Sequence, residues 1–281
     1  MASWEFPGSD PIDVHIDLPS GSIAIAAEPT EATHVSLLPS RPGRDSDELI
    51  AMVTVEFSDG RLEITGPKNM GLLRHRSGLD LTAKVPAGSR CTVRTASSDV
   101  ACVGELGSLE AHTASGDLTA AVVRGPVRLD AASGDVWLEE GTEGVTIHSA
   151  SGDVSVLRAS GDIAIDTASG DIQVGTADGA ITAHAASGDV RIGSFGNGVA
   201  DVNTVSGDVT VGVAAGVDVY LDLSSFTGEV RSDLDSSDND NDDDGDADVT
   251  VKCKTISGDV RIRRAEAPGS GEHHKIKFKW K

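Results

Sequence analysis

The sequence predicts an all-β protein whose main part is a β-solenoid, preceded by a small antiparallel β segment. Three observations lead to this prediction. The tripeptide Ser-Gly-Asp recurs at intervals of 9 or 18 residues between Ser115 and Ser187, and apolar residues two positions apart follow each copy. Glycine is abundant (32 residues) and aromatic residues are scarce (3%). Short, regular repeats of small and β-branched residues are typical of stacked β-strand coils.

Each repeat unit combines a turn with a strand. Ser-Gly-Asp suits a turn because glycine adopts positive φ and the Ser and Asp side chains hydrogen-bond nearby backbone N–H groups. The following strand alternates, as in Val154/Val156 and Ile172/Val174, which places these side chains inside and their neighbours outside. Two nine-residue arms make one coil of about 18 residues. Arms after Ser-Gly-Asp are predicted to form sheet A, and arms after degenerate copies sheet B. An antiparallel meander with the same super-period is the alternative.

Stacked coils lie about 4.8 Å apart, so equivalent outward side chains align in columns. One column on sheet B alternates basic and acidic groups, and we call it the histidine–aspartate column: Arg94, His112, Asp130, His148, Asp166, His184 and Asn203. The aspartate column at the turns before sheet A consists of Asp99, Asp117, Asp135, Asp153, Asp171, Asp189 and Asp208. Like charges this close repel by roughly 1 kcal/mol in water. Each carboxylate therefore needs a backbone N–H or a shared cation, of which calcium is the candidate.

Sheet A is predicted to carry exposed apolar and small residues on its outer face. We call this set the apolar stripe: Ala101, Val103, Thr119, Ala121, Trp137, Ser155 and Leu157. An outward apolar surface indicates a partner, which could be the N-terminal segment of the same chain or another subunit. Val103, Trp137 and Leu157 are the interaction candidates on this stripe.

The chain is predicted to contain five segments. They are an N-terminal antiparallel β cap domain (1–90), the Ser-Gly-Asp β-solenoid (91–231), an acidic disordered loop (232–248), the final coil (249–264) and a basic amphipathic tail (265–281). The cap is inferred from alternating runs that are separated by Gly- and Pro-containing turns.

The acidic loop and the tail each suggest a binding role. The loop carries nine aspartates, of which Asp240, Asp242 and Asp244 have the spacing that begins an EF-hand loop, although Val251 occupies the place of the closing glutamate. In the tail, lysines alternate with Ile276, Phe278 and Trp280, so a strand would place these three on one face. The tail could cap the open end of the solenoid, touch an anionic membrane surface or dock on an acidic protein surface.

Composition and motifs narrow the function. The formal net charge of −22 argues against nucleic-acid binding through the main body. The first residues have no basic or apolar signal segment, no run of about 18 apolar residues occurs, and three cysteines form no CxxC pair. These features predict a cytoplasmic protein without a transmembrane segment. No nucleophile elbow, phosphate-binding loop or zinc-ligand spacing is present, so we assign no catalytic, cofactor or metal residues.

Four features follow one another along the chain: the leading Val-Pro-Ala-Gly-Ser at 85–89, the recurring Thr-Ala-Ser-Gly-Asp units, the acidic break and the closing Thr-Ile-Ser-Gly-Asp-Val-Arg-Ile at 255–262. Together they resemble the bacterial "putative adhesin", toastrack-like β-strand-repeat family, the domain of unknown function 4097. The resemblance covers roughly residues 10–265. It implies a β-helix-like fold and an actinobacterial-type cytoplasmic member. It supplies no catalytic residue to carry over.

The favoured functional hypothesis is a non-enzymatic structural or interaction protein. As such a scaffold it would associate with itself or dock an unidentified protein partner. The alternative is a calcium- or cation-binding repeat module that uses the aspartate column or the acidic loop. An enzyme acting on polysaccharides is disfavoured, because the carboxylates follow the repeat instead of forming an irregular acid–base cluster.

Overall fold

The computed structural model describes residues 1–41, 46–67, 78–234 and 247–265. The described residues are almost entirely β. In chain order, the N-terminal elements are β1 (Ala2–Pro7), β2 (Asp13–Ala27), β3 (Ala32–Pro39), α1 (Ser46–Ala51), β4 (Thr54–Ser58), β5 (Arg61–Thr65), β6 (Leu79–Val85) and β7 (Arg90–Leu106).

The remaining elements are the arms of the repeat coils. They are β8 (Ser108–Ser115), β9 (Leu118–Val123), β10 (Val127–Ser133), β11 (Val136–Gly141), β12 (Val145–Ser151), β13 (Val154–Ala159), β14 (Ile163–Ser169), β15 (Ile172–Ala177), β16 (Ile181–Ser187), β17 (Val190–Phe195), β18 (Gly198–Ser206), β19 (Val209–Val213), β20 (Val219–Ser225), β21 (Val230–Ser232), β22 (Val249–Ser257) and β23 (Val260–Arg264). No helix among the described residues has the length and apolarity that crossing a membrane requires.

The repeat strands stack in parallel, which confirms the solenoid and shows that the antiparallel meander was wrong. Val154 in β13 pairs with Val136 in β11 on one side and with Ile172 in β15 on the other, so neighbouring strands are 18 residues apart. The odd-numbered strands β9 to β19 form sheet A, and the even-numbered strands β8 to β18 form sheet B. Each coil therefore contributes one strand to each sheet, as the two-arm repeat predicts.

The N-terminal segment joins the same stack. Antiparallel pairing occurs between β1 and β3, β3 and β6, and β4 and β5. Strand β2, in contrast, runs parallel to β7 along nearly its whole length, from the pair Asp13–Arg90 to the pair Ala27–Gly104. Strand β2 thus forms a coil of the solenoid. On its other side it pairs in parallel with β5 and β6, which form the outermost parallel coil at this end. The antiparallel strands continue the two sheets at this end of the stack.

The coil predicted to be final, 249–264, is last in the sequence but not in space. Strand β22 pairs with β18 on one side and with β20 on the other, and β23 lies between β19 and β21. The inward residues of β22, Val249, Val251 and Cys253, are completely buried. Strand β20 has more exposed inward positions. The more apolar coil therefore occupies the inner position, and β20 and β21 form the terminal coil.

The interior is a continuous column of Val, Ile, Leu and Ala, with Phe195 the largest fully buried side chain. Each fully buried Val, Ile or Leu contributes roughly 1.5–3 kcal/mol. The N-terminal end of this column is closed by Leu49 of α1 and by the stacked rings of Phe6 and Phe57, whose centroids are 4.9 Å apart. The small inward residues near the turns are also buried, as predicted: Thr113, Ala131, Ser149, Thr167, Ala185 and Thr204.

Candidate functional site

The aspartate column is a hydrogen-bonded ladder. The backbone N–H of Asp171 donates to Oδ1 of Asp153 at 2.9 Å, and the N–H of Asp153 donates to Oδ1 of Asp135 at 2.9 Å. The same contact recurs from Asp99 through Asp208 to Asp259, and it ends at the N–H of Glu229. Two ways of holding these carboxylates were predicted, a backbone N–H group or a shared cation. In the described residues, backbone N–H groups hold them.

The aspartate ladder leaves the cation-binding alternative without a geometric basis in the described residues. One oxygen of each carboxylate is already engaged by the next coil. Across residues 1–41, 46–67, 78–234 and 247–265, no three His, Cys, Asp or Glu side chains are grouped so that they could hold a metal ion. The EF-hand-like residues Asp240, Asp242 and Asp244 lie outside the described residues.

The histidine–aspartate column has the predicted register on sheet B. Nδ1 of His112 lies 2.8 Å from Oδ2 of Asp130, while the two oxygens of Asp166 contact Nδ1 of His148 at 3.2 Å and Nδ1 of His184 at 3.0 Å. A hydrogen bond from His112 also lowers the pKa of the Glu110 carboxyl below its ordinary value. Adjacent coils thus contact each other through histidine–carboxylate pairs along this column.

The apolar stripe forms a coherent surface on sheet A. Ala101, Thr119, Trp137 and Ser155 are aligned in successive strands from β7 to β13. Leu157 lies on the same face of β13 and is 39% exposed, whereas Trp137 and Val103 are partly exposed. The structure therefore brings the predicted candidates Val103, Trp137 and Leu157 onto one side of the solenoid.

The described part of the N-terminal segment does not cover this stripe. Strand β1 pairs with β3, β3 pairs with β6, and β4 pairs with β5. They extend the sheets at the end of the stack and make no substantial contact with β9, β11 or β13.

A rim of charged residues of both signs borders the apolar stripe, and one of them, Glu139, lies between Ala121 and Leu157 in the strand register. Arg124 contacts Glu140 at 2.8 Å and Glu105 at 3.3 Å, and Arg158 contacts both Glu139 and Glu140 at 3.3 Å. These pairs bridge neighbouring coils. The sequence-based reasoning missed this network, although Glu140 stands 16 residues after Arg124 and 18 before Arg158, about one coil from each.

The terminal coil exposes a second group of apolar residues that the sequence did not single out. Phe226 is 85% exposed, Val230 44% and Tyr220 42%. All three lie on the terminal coil, whose outer position follows from the insertion of β22 and β23 and is not revealed by the sequence pattern. The tail candidates Ile276, Phe278 and Trp280 lie outside the described residues.

The three cysteines are buried and free. Burial raises the pKa of Cys91 well above its ordinary value, and it raises those of Cys102 and Cys253 to about 12. A thiol with so high a pKa is almost entirely protonated near neutral pH, whereas the thiolate is the nucleophile and the metal ligand. These residues therefore serve as small apolar core side chains.

Comparison with known proteins gives one family match. The model described as Toastrack DUF4097 matches residues 13–263. No curated protein matches the chain.

Among solved structures, a putative adhesin from Bacteroides fragilis has a TM-score of 0.46 at 11% identity, covering 93% of this chain and 96% of its own. A putative lipid binding protein from Parabacteroides distasonis has a TM-score of 0.43 at 14% identity, covering 94% and 96%. A putative adhesin from the same species has a TM-score of 0.38 at 15% identity, covering 93% and 96%.

Proposed function

The chain belongs to the Toastrack DUF4097 family, and from this premise we propose that it is a non-enzymatic interaction module whose apolar stripe on sheet A docks a second copy of the chain. The observation that carries the proposal is that Val103, Trp137 and Leu157 share the outer face of sheet A, where Leu157 is exposed and the other two are partly exposed. Contiguous outward apolar side chains on a soluble surface are typical of docking sites. Tryptophan in particular tends to dominate interface energetics.

The charged rim favours a second copy as the occupant. Two arginines, Arg124 and Arg158, and three glutamates, Glu105, Glu139 and Glu140, border the stripe. In a two-fold dimer the same patch faces itself, so a rim with both signs of charge can be self-complementary.

The regular use of the carboxylates supports a non-catalytic role. In the aspartate ladder they accept backbone N–H groups, and in the histidine–aspartate column they pair with histidines. The cytoplasm is the compartment we propose for this module, since three buried, free cysteines suit a reducing environment.

Light scattering coupled to size-exclusion chromatography tests the proposal. Trp137→Glu places a charge at the centre of the stripe and is expected to convert the dimer to a monomer. Thr146→Glu is the matched control, because Thr146 is a partly exposed outward residue of β12 on sheet B. The control variant is expected to remain a dimer, and the circular dichroism of both variants is expected to match the parent chain.

Two results would count against the proposal. A parent chain that is monomeric at every concentration tested would exclude self-association. A dimer that persists in Trp137→Glu would show that the copies meet through another surface.

A further inference from the structure

The terminal coil of the solenoid has an open edge. Strand β20 pairs with β22 on one side, and β21 pairs with β23 on one side. Neither has a second partner strand among the described residues. An unpaired parallel strand exposes a row of backbone N–H and C=O groups and is a template for another strand.

The side chains at this edge are also incompletely covered. Val219, Leu221 and Leu223 point toward the core of the solenoid, yet they are only partly buried. Equivalent inward residues one coil further in, such as Val251, are completely buried. The opposite end of the stack is covered by α1 and the stacked Phe6 and Phe57. Within the described part of the chain, the C-terminal end therefore lacks about one strand of apolar cover.

We propose that residues 275–281 of the same chain dock on this edge as a strand parallel to β20. This inference does not depend on dimerisation through sheet A. The segment has seven residues and so does β20. Its alternation places Ile276, Phe278 and Trp280 on one face, which supplies the missing apolar cover.

The path of the chain allows this docking. The N–H of Ala265, directly after β23, donates to the carbonyl of Val213 at 2.8 Å. At this corner each earlier coil passes from sheet A to sheet B. The next strand of sheet B must lie beyond β20, about two strand spacings or roughly 10 Å along the stack. The nine linking residues 266–274 can span about 30 Å, so they can step over the terminal coil.

The charges at this edge also suit a lysine-rich strand. Lys252 in β22 lies between Asp201 and Asp222 in the neighbouring strands, so the outer side of Asp222 has no opposing cation in the described strands. Matching the inward faces places Ile276 beside Val219, Phe278 beside Leu221 and Trp280 beside Leu223. Lys279 then lies beside Asp222 and extends the alternation of opposite charges by one strand.

Disulfide trapping in the full-length chain tests this register. Tyr220→Cys combined with Lys277→Cys places two cysteines directly opposite each other, at a spacing that a disulfide can bridge. Tyr220→Cys combined with Lys281→Cys is the matched control, because four residues along a strand separate the two sites by about 13 Å. On a non-reducing gel, the first pair is expected to form an intrachain disulfide rapidly and the control pair slowly.

Thermal unfolding and hydrogen exchange provide a second test that needs no crosslink. Phe278→Asp and deletion of residues 275–281 are expected to lower Tm by about 4 °C or more. Both changes are also expected to accelerate amide exchange in residues 219–225 at least about tenfold. Lys281→Gln changes an outward residue at the chain end and is expected to leave both measurements nearly unchanged.

Several outcomes would overturn the proposal. Disulfides that form only between two chains would assign the tail to a neighbouring molecule. Unchanged Tm and unchanged exchange after deletion of 275–281 would show that the edge is not covered by the tail. The proposal also fails if the tail binds vesicles containing phosphatidylserine while its deletion leaves β20 unaffected. Dimerisation through Trp137 is a separate question that light scattering answers, since the variant without residues 275–281 is expected to remain a dimer.

Discussion

At the scale of single residues, the fold depends on a turn that can be stacked repeatedly at one strand spacing. Gly152 has a φ of +129°, and a Cβ atom added there would lie 2.1 Å from the carbonyl oxygen of Gly134 in the preceding coil. The Gly152 N–H donates to the carbonyl of Ser169 in the next coil. The middle residue of Ser-Gly-Asp is therefore restricted by its conformation and by the close approach of two backbones.

Replacing this glycine should be costly. Gly152→Ala is expected to lower the free energy of unfolding by about 2 kcal/mol or more, because the alanine would be strained and the two coils would have to separate. Denaturant unfolding measures the change. Gly144→Ala is the matched control, since Gly144 is exposed, has no positive φ and has no atom within 4 Å of an added Cβ. The control should be neutral or slightly stabilising, and equal losses in both variants would refute the explanation.

Two substitutions in the aspartate ladder distinguish the contribution of a hydrogen bond to stability from that of a charge. Asp153→Ala removes the acceptor for the N–H of Asp171 and is expected to cost about 0.5–1.5 kcal/mol. Asp153→Asn keeps an acceptor oxygen and removes repulsion from Asp135 and Asp171. It should be as stable as the parent chain or more so, and the difference should shrink in high salt. Equal destabilisation by both changes would show that the charge itself is required.

The residue pattern predicted the inside and the outside of the solenoid because a strand alternates with period two. It therefore also predicted the pairing of His148 with Asp166 and the shared face of Val103, Trp137 and Leu157. It missed the coil in β2, although Ser20-Gly-Ser22 lies in register with Ser97-Ser-Asp99. That turn is a degenerate copy of Ser-Gly-Asp, and only its neighbour in space makes the relationship clear.

At the scale of secondary-structure elements, the order of the last coils is the main finding. The pattern of β20 and that of β22 both describe a strand with three inward apolar residues. Such a pattern specifies which face is buried but does not specify which strand lies next to it. The aspartate ladder reveals the order, because it passes from Asp208 to Asp259 and then to the N–H of Glu229.

The two positions should differ in their sensitivity to the same substitution. Val251→Ala in the inner strand β22 is expected to cost about 1.5–3 kcal/mol, because it removes fully buried methyl groups. Val219→Ala in the terminal strand β20 should cost under about 1 kcal/mol, because Val219 is only partly buried. Chemical denaturation of both variants measures the difference. A larger loss at Val219 would contradict the order of the coils.

At the scale of the whole molecule, the stack behaves as a one-dimensional array. From β8 to β17, each strand pairs with residues one coil, or 18 residues, away, so the stability is approximately a sum of coils and of the interfaces between adjacent coils. A weakened coil then affects mainly its two neighbours. Acidic side chains of the coils are distributed along this array, where the aspartate ladder and cross-strand ion pairs offset part of their mutual repulsion.

The inserted coil has a consequence for biosynthesis. A ribosome delivers β20 and β21 before β22 and β23, yet the later pair occupies the inner place in the finished stack. Most of the solenoid can be wound coil by coil as the chain emerges, but the last step cannot follow that order. The terminal coil must either wait or be displaced until residues 249–264 have been translated. Winding of the nascent chain can therefore be completed only after β22 and β23 have been translated.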